Sequence, residues 1–205
     1  MKISILLPYK ENYSKDYAGA VSIFINGINK ISKYKKTTKI YGNTDLKNYL
    51  SKNYINIPFA KKILQSSTKI YINNFIKLEK KRKSNLIEIH NRPIYLKYFL
   101  GLKNRKFVFY FHNDPLTMNG SISIKERLFI LNFCNKIIFN SEWTKKRFFK
   151  DLNNFYYNSE KIEVIYQTTK KTKINLNNKK KIITFVGRLN TSKGYDIFGR
   201  AIEKI

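Results

Sequence analysis

Apolar residues along the chain fall into two kinds of run: short unbroken blocks, and longer stretches with the 3.6-residue repeat of a helix. The blocks at residues 2–8, 37–41, 86–90, 106–111, 136–139, 161–166 and 182–186 are rich in Ile, Val, Phe and Tyr. Such runs suit strands of a parallel sheet covered on both faces. Between them, Val21, Phe24, Ile25, Ile28 and Ile31 predict a helix that follows Gly19 and Ala20. Ile70, Tyr71, Asn74, Phe75 and Leu78 predict another over residues 67–81, with the basic run 80–83 at its carboxyl end, where cations complement the helix dipole. Residues 94–102 predict a shorter one. Ser123 and Glu126 have the spacing of a capping box and open a helix through Leu128, Ile130, Leu131 and Cys134. Ser141 stands where it can cap a helix carrying Trp143, Phe148 and Phe149. Ile197, Phe198, Ala201, Ile202 and Ile205 share one face of a last helix. Residues 44–58 carry no legible pattern.

This alternation predicts an α/β fold, a doubly wound, Rossmann-like parallel sheet. Residues 1–166 form the first domain. Residues 167–181, polar and without periodicity, read as a linker. Residues 182–205 then read as the first strand and helix of a second such domain.

In open sheets of this kind, ligands bind beyond the carboxyl ends of the strands, so the polar residues there are the site candidates. Gly19 follows the first strand and either lets a ligand approach the helix start or permits close packing. His90 and Arg92 end the 86–90 strand, with His90 open to a ligand role or to an internal hydrogen bond. His112, Asn113 and Asp114 end the 106–111 strand before Pro115. Of these His112 is the stronger candidate, and Asp114 reads as a turn or cap residue. Ser141 reads as a helix cap that could also border the site. In the 187–194 turn, Gly187, Arg188, Lys193 and Gly194 offer close backbone approach and two cations beside a helix N-terminus, a suitable place for a diphosphate.

Four segments, 87–93, 110–115, 139–148 and 186–194, occur in an order that resembles the family 4 retaining glycosyltransferases, two-domain enzymes of the GT-B fold. The resemblance implies that the first domain is the GT-B acceptor side and that the second begins the donor-binding domain. It implies transfer of a hexose from a nucleotide diphosphate sugar to an acceptor hydroxyl with retention, with no cofactor or metal required. Arg188, Lys193 and the Gly187 turn would hold the diphosphate, and His112 would lie against the donor sugar and orient it. Gly19, His90, Arg92, Asn113 and Ser141 would border the acceptor side of the cleft. The family's usual paired glycine is Ala20 here, and its later pair of glutamates is not found, so the chain is expected to be a truncated form, inactive alone. The acceptor would be a carbohydrate or lipid-linked glycan of the cell envelope or lipopolysaccharide.

Charge adds a rival. Lys and Arg number 41 against 13 Asp and Glu, a net charge of +28, enough to attract nucleic acid or an anionic membrane. The lysines form no single block, however, and Lys shares an AT-rich codon set with the abundant Ile, Asn, Tyr and Phe. A non-catalytic, basic nucleic-acid-binding protein is the alternative, but an RNP signature, zinc-finger spacing and a compact basic helix are all missing, so no specific nucleic acid is expected. The single Cys134 excludes an internal disulfide and fits a reducing compartment. No apolar run reaches the ~20 residues of a membrane span. A cytoplasmic protein is expected, with peripheral contact to the inner membrane face allowed by its charge.

Overall fold

The structure is a computed structural model, which describes residues 1–60, 65–152, 157, 159–168, 182–187, 189 and 191–204. The chain divides into two compact units, Met1–Thr168 and Thr169–Ile205.

The first unit is built on seven strands: β1 (Ile3–Leu6), β2 (Thr38–Gly42), β3 (Tyr54–Asn56), β4 (Leu86–His90), β5 (Lys106–Phe111), β6 (Lys136–Phe139) and β7 (Ile162–Val164). All pair in parallel, in the order β3-β2-β1-β4-β5-β6-β7. The helices are α1 (Ala20–Ile31), α2 (Ser67–Arg82), α3 (Ile124–Phe133) and α4 (Glu142–Phe149), with short 3-10 turns at Pro93–Tyr98 and Pro115–Thr117. The chain winds one way from β1 to β3 and the other way from β4 to β7. Right-handed crossovers therefore put the two groups of helices on opposite faces, the doubly wound α/β arrangement that the alternation predicts.

The larger core lies on the α2, α3 and α4 side. Leu6, Ile87, Ile89, Phe107, Phe109, Phe111, Ile137 and Phe139 point into it from the sheet and meet Tyr71, Phe75, Ile130, Leu131, Phe148 and Phe149. On the other face α1 covers the β1 and β2 side, where Ile5, Leu7, Ile40 and Tyr54 meet Val21 and Ile25. Cys134 is buried in the larger core, which pushes its thiol pKa up and leaves it a small apolar residue. No described helix is long and apolar enough to cross a membrane.

Several expectations are corrected. β3 lies in the unpatterned 44–58 stretch; with three residues at the sheet edge it is too short to show a period. The helix expected over 94–102 is a 3-10 turn at Pro93–Tyr98. α2 buries Ile70, Tyr71, Ile72, Phe75 and Glu79, with Leu78 half-buried against the same core, so Ile72 and Glu79 join the expected inner face. α1 buries Val21, Ser22, Ile25, Asn26 and Asn29, while Ile28 and Ile31 are 44% and 87% exposed. That helix is apolar on more than one side; the side turned inward packs Val21 and Ile25 with Ile5, Leu7, Ile40 and Tyr54, and its Asn26 accepts from the Tyr13 hydroxyl (3.3 Å).

In the second unit, residues 182–186 form no strand, and Ile182, Ile183 and Val186 are 68%, 65% and 90% exposed. A lone extended segment has no neighbour among the described residues to complete its ladder, and a strand is stable only in a sheet. The last helix, α5 (Tyr195–Ile202), follows a 3-10 turn at Thr191–Lys193 and is entered through Gly194, whose φ of 73° suits glycine. Phe185 packs on Phe198 (5.4 Å) and Tyr195 (6.0 Å). Residues 169–181 of the expected linker, and Ile205, lie outside the described residues.

Candidate functional site

Alternation along β4 sends Ile87 and Ile89 into the larger core and Glu88 and His90 to the opposite face. On β5 the same alternation separates Phe107, Phe109 and Phe111 from Val108 and Tyr110. The parallel register sets His90 beside Tyr110, so His112, two residues further, projects from the same face just past the strand end. The three rings stack: Tyr110 on His112 at 4.5 Å, His90 on His112 at 5.2 Å and His90 on Tyr110 at 5.4 Å. Phe24 of α1 turns its edge onto Tyr110 and His112, both at 5.1 Å.

Hydrogen bonds run through this stack in one line. Glu88 Oε1 is 2.6 Å from His90 Nε2, His90 Nδ1 is 2.9 Å from His112 Nε2, and His112 Nδ1 is 2.7 Å from the Gln167 amide nitrogen. The backbone of His112 is pinned as well. Its N–H donates to Asn91 Oδ1 (3.0 Å), and its carbonyl accepts from the Asn140 amide (2.8 Å). Asn91 reaches that position through a left-handed φ of 55°, which Asn tolerates better than most residues. The Tyr110 hydroxyl donates to the Ile165 carbonyl (2.9 Å). Burial, followed by the neighbouring His90, lowers the His112 pKa to about 3, so the ring is neutral at physiological pH. Burial, with Glu88 and Glu163 nearby, pushes Tyr110 up to about 12.

His90 is fully buried and serves inside this line, the hydrogen-bonded alternative of its sequence reading. Glu88, Phe24, Tyr110, Asn91, Asn140 and Gln167 were not expected. The two-residue period of β4 places Glu88 on the His90 face, but only the strand register brings β4 and β5 together.

The other candidates lie elsewhere. Arg92 is exposed, donates to the Asn91 carbonyl (2.9 Å), and lines a pocket of about 310 Å³ with Thr68, Tyr95, Thr117 and Asn119. Asn113 is exposed beside His112. Asp114 caps the Pro115–Thr117 turn by accepting from the Leu116 N–H (3.0 Å) and pairs with Arg147 (2.9 Å), as its cap reading implies. Burial opposes ionisation of its carboxyl, but the bonds from Arg147 and Leu116 carry its pKa below the usual value. Ser141 is the N-cap of α4, accepting from the Thr144 N–H (3.1 Å). Thr144 in turn donates to Asn140 Oδ1 (2.7 Å), so the cap also steadies a residue that holds His112.

Gly19 is the N-cap of α1 and has no side chain with which to cap it. The Glu11 carboxylate supplies one, accepting from the Ser22 N–H (3.1 Å) at the positive end of the helix. A Cβ on Gly19 would collide with that carboxylate, so the glycine makes room for Glu11. Glu11→Ala is expected to cost about 1 kcal/mol, the usual loss of a cap, in a urea titration. Gly19→Ala should cost more in the wild-type chain, where Glu11 must give way, than on the Glu11→Ala background, where only the poorer capping of Ala remains. The same loss on both backgrounds would refute this contact.

In the second unit, a Cβ on Gly187 would meet the Phe185 ring at 3.1 Å and Lys193 Cβ at 3.8 Å, so the glycine lets that turn close. Lys193 is exposed one residue before the N-cap of α5. Arg188 lies outside the described residues. Among the described residues, no group of three or more His, Cys, Asp or Glu side chains is placed to hold a metal ion.

No family profile matches the sequence, and no curated protein matches it significantly. Solved structures match the fold. HepE of Anabaena, solved in complex with UDP, has a TM-score of 0.52 at 15% identity over 81% of this chain and 44% of its own. Sucrose-phosphate synthase of Thermosynechococcus elongatus has a TM-score of 0.53 at 10% identity over 82% and 49%. UDP-GlcNAc 2-epimerase of Neisseria meningitidis, bound to UDP-GlcNAc, has a TM-score of 0.50 at 13% identity over 80% and 45%. The chain spans less than half the length of each of these structures. At these identities the likeness is one of fold, and the Rossmann-like parallel sheet of this chain is that of GT-B-type proteins.

Proposed function

We propose that the chain is the acceptor-side part of a glycosyltransferase that moves a hexose from a nucleotide diphosphate sugar to an acceptor hydroxyl with retention of anomeric configuration. The observation that carries this reading is His112: a neutral imidazole fixed at backbone and ring, at the carboxyl edge of a sheet whose fold recurs in structures solved with UDP and UDP-sugars.

In this reading His112 orients the donor sugar. Arg188 and Lys193, beside the Gly187 turn, offset the charge that develops on the departing diphosphate. The bond from the anomeric carbon to the diphosphate oxygen breaks as the bond to the acceptor oxygen forms on the same face, and the leaving phosphate oxygen takes the acceptor proton. Positioning and electrostatics supply the rate, with no metal or cofactor. The acceptor is a carbohydrate or lipid-linked glycan of envelope or lipopolysaccharide synthesis. The protein works in the cytoplasm, where its basic surface meets the anionic face of the inner membrane.

The test uses the full-length protein with UDP-glucose and other nucleotide sugars, free and lipid-linked glycan acceptors, and the product anomer read by NMR. Transfer with the donor's configuration is expected. Inversion, or epimerisation of UDP-GlcNAc at C2 without transfer, would overturn the reading. So would RNA or DNA binding that survives moderate salt in a protein that binds no nucleotide sugar.

A further inference from the structure

The line from Glu88 to Gln167 fixes more than the position of His112. With the Gln167 amide nitrogen turned towards it at 2.7 Å, as here, His112 Nδ1 accepts, although an amide can turn over, so the lock has to come from the other end of the line. In a neutral ring the proton then sits on His112 Nε2. That N–H faces His90 Nδ1 at 2.9 Å, which must therefore accept in its turn. His90 carries its own proton on Nε2 and donates it to Glu88 Oε1 at 2.6 Å. Read from the Glu88 end, the assignment is the same, because a carboxylate at the head of the line demands a donor from His90. The alternative would place an imidazolium at His90, fully buried beside Glu88, and would require the Gln167 amide to present its oxygen to His112 in place of its nitrogen.

We propose that Glu88 and His90 are positioning residues that lock His112 in its Nε2–H tautomer, so that Nδ1 always presents a lone pair outward and selects a hydrogen-bond donor as its ligand. Gln167 fills that place in the present structure. A group that replaces it must bring a hydrogen, as a hydroxyl does, and a carboxylate or phosphate oxygen is turned away by lone-pair repulsion. Phe24 and Tyr110 pack on the rings and keep them from turning over. Glu88 itself is a quarter exposed and borders a small crevice against Ile3, Ile5 and Ile25, so it anchors the line from a partly hydrated position. That the incoming hydroxyl belongs to a sugar rests on the transferase reading, whereas the tautomers do not.

His90 and His112 are the only two histidines of the chain, so NMR of histidine labelled with isotopic nitrogen has two rings to assign. At about pH 8, above the ordinary histidine pKa of about 6.5, both rings should show a protonated Nε2 and a bare Nδ1. Glu88→Gln keeps an acceptor oxygen and should leave both spectra unchanged. Glu88→Ala frees the His90 proton to move to Nδ1, and the His112 nitrogens should shift to values averaged over both tautomers. His90→Phe, which breaks the line while filling its space, should do the same and serves if Glu88→Ala does not fold. A protonated Nδ1 or an imidazolium at His112 in the wild type would overturn the proposal, as would a single unchanged His112 tautomer in the variants that break the line. No nucleotide sugar enters these spectra. A protein with the expected tautomers that binds no donor would end the transferase reading alone, and a donor-binding protein with the wrong tautomer would end this proposal alone.

Discussion

Acidifying the protein from about pH 6.5 to about pH 4 is expected to remove about 3 kcal/mol of folding stability through His112 alone. Its pKa falls to about 3 in the folded chain, chiefly because burial strips water from the imidazolium and secondly because His90 lies against it. In the unfolded chain it titrates at its ordinary value near 6.5. Between those two values the unfolded state binds a proton that the folded state refuses, so each step down in pH favours unfolding. Above about pH 6.5 both states hold the ring neutral and the contribution is constant. Urea midpoints measured across this range should fall steeply for the wild type and less for His112→Gln, which has no titrating ring at that position. Equal slopes for the two proteins would show that His112 is not held neutral by the fold.

The second large effect is expected at Glu79, a carboxylate with no solvent exposure on the inner face of α2. Ser4 Oγ of β1 donates to Oε2 (2.6 Å), the Ser84 N–H donates to Oε1 (2.7 Å), the Ser84 hydroxyl donates to the same oxygen, and Arg105 Nε lies 3.4 Å away. One side chain thus ties the end of α2 to the interior strand β1 and to the turn that enters β4. Glu79→Ala leaves the buried donors of Ser4 and Ser84 without an acceptor and should cost about 3 kcal/mol or more. Glu79→Gln keeps one acceptor oxygen and should cost about half of that. The check is the urea midpoint of each variant at neutral pH, with far-ultraviolet circular dichroism to confirm the fold. A Glu79→Ala chain within about 1 kcal/mol of wild type would mean that water replaces the carboxylate in this cluster.

Particular elements show what patterning can and cannot reveal. β4, β5 and β6 have the bounds that their apolar runs predict, and Ser123 and Glu126 make the capping box that their spacing predicts. These features depend on neighbours in sequence, so local chemistry is enough to read them. β3 is three residues long, and its status as a strand comes from pairing with β2. The inner side of α1 includes Asn26, which meets Tyr13, and the buried Glu79 meets Ser4 from 75 residues away, contacts that no local pattern contains. The 182–186 run shows the converse, since its apolar residues satisfy every local criterion for a strand and have no partner strand among the described residues. The site divides in the same way. His90 and His112 are visible as polar residues at strand ends, but their contact is created by the register of β4 on β5, which no short-range pattern contains.

The place of β1 inside the sheet, between β2 and β4, has a consequence for how the chain is made. Ile3 pairs with Thr38 on one side and with Leu86 on the other, so β1, made before the other strands of its sheet, is completed only when residues 86–90 emerge. At the usual ~5–20 residues per second, that wait lasts on the order of ten seconds. Throughout it, the backbone edge of Ile3, Ser4, Ile5 and Leu6 that belongs to β4 is open, and an open apolar strand edge invites pairing with other nascent chains. The Glu79 cluster forms at the end of the same interval, because Ser4 comes from the waiting strand and Ser84 from the turn that leads into β4. The buried carboxylate thus acts as a latch that closes as the vulnerable edge is covered.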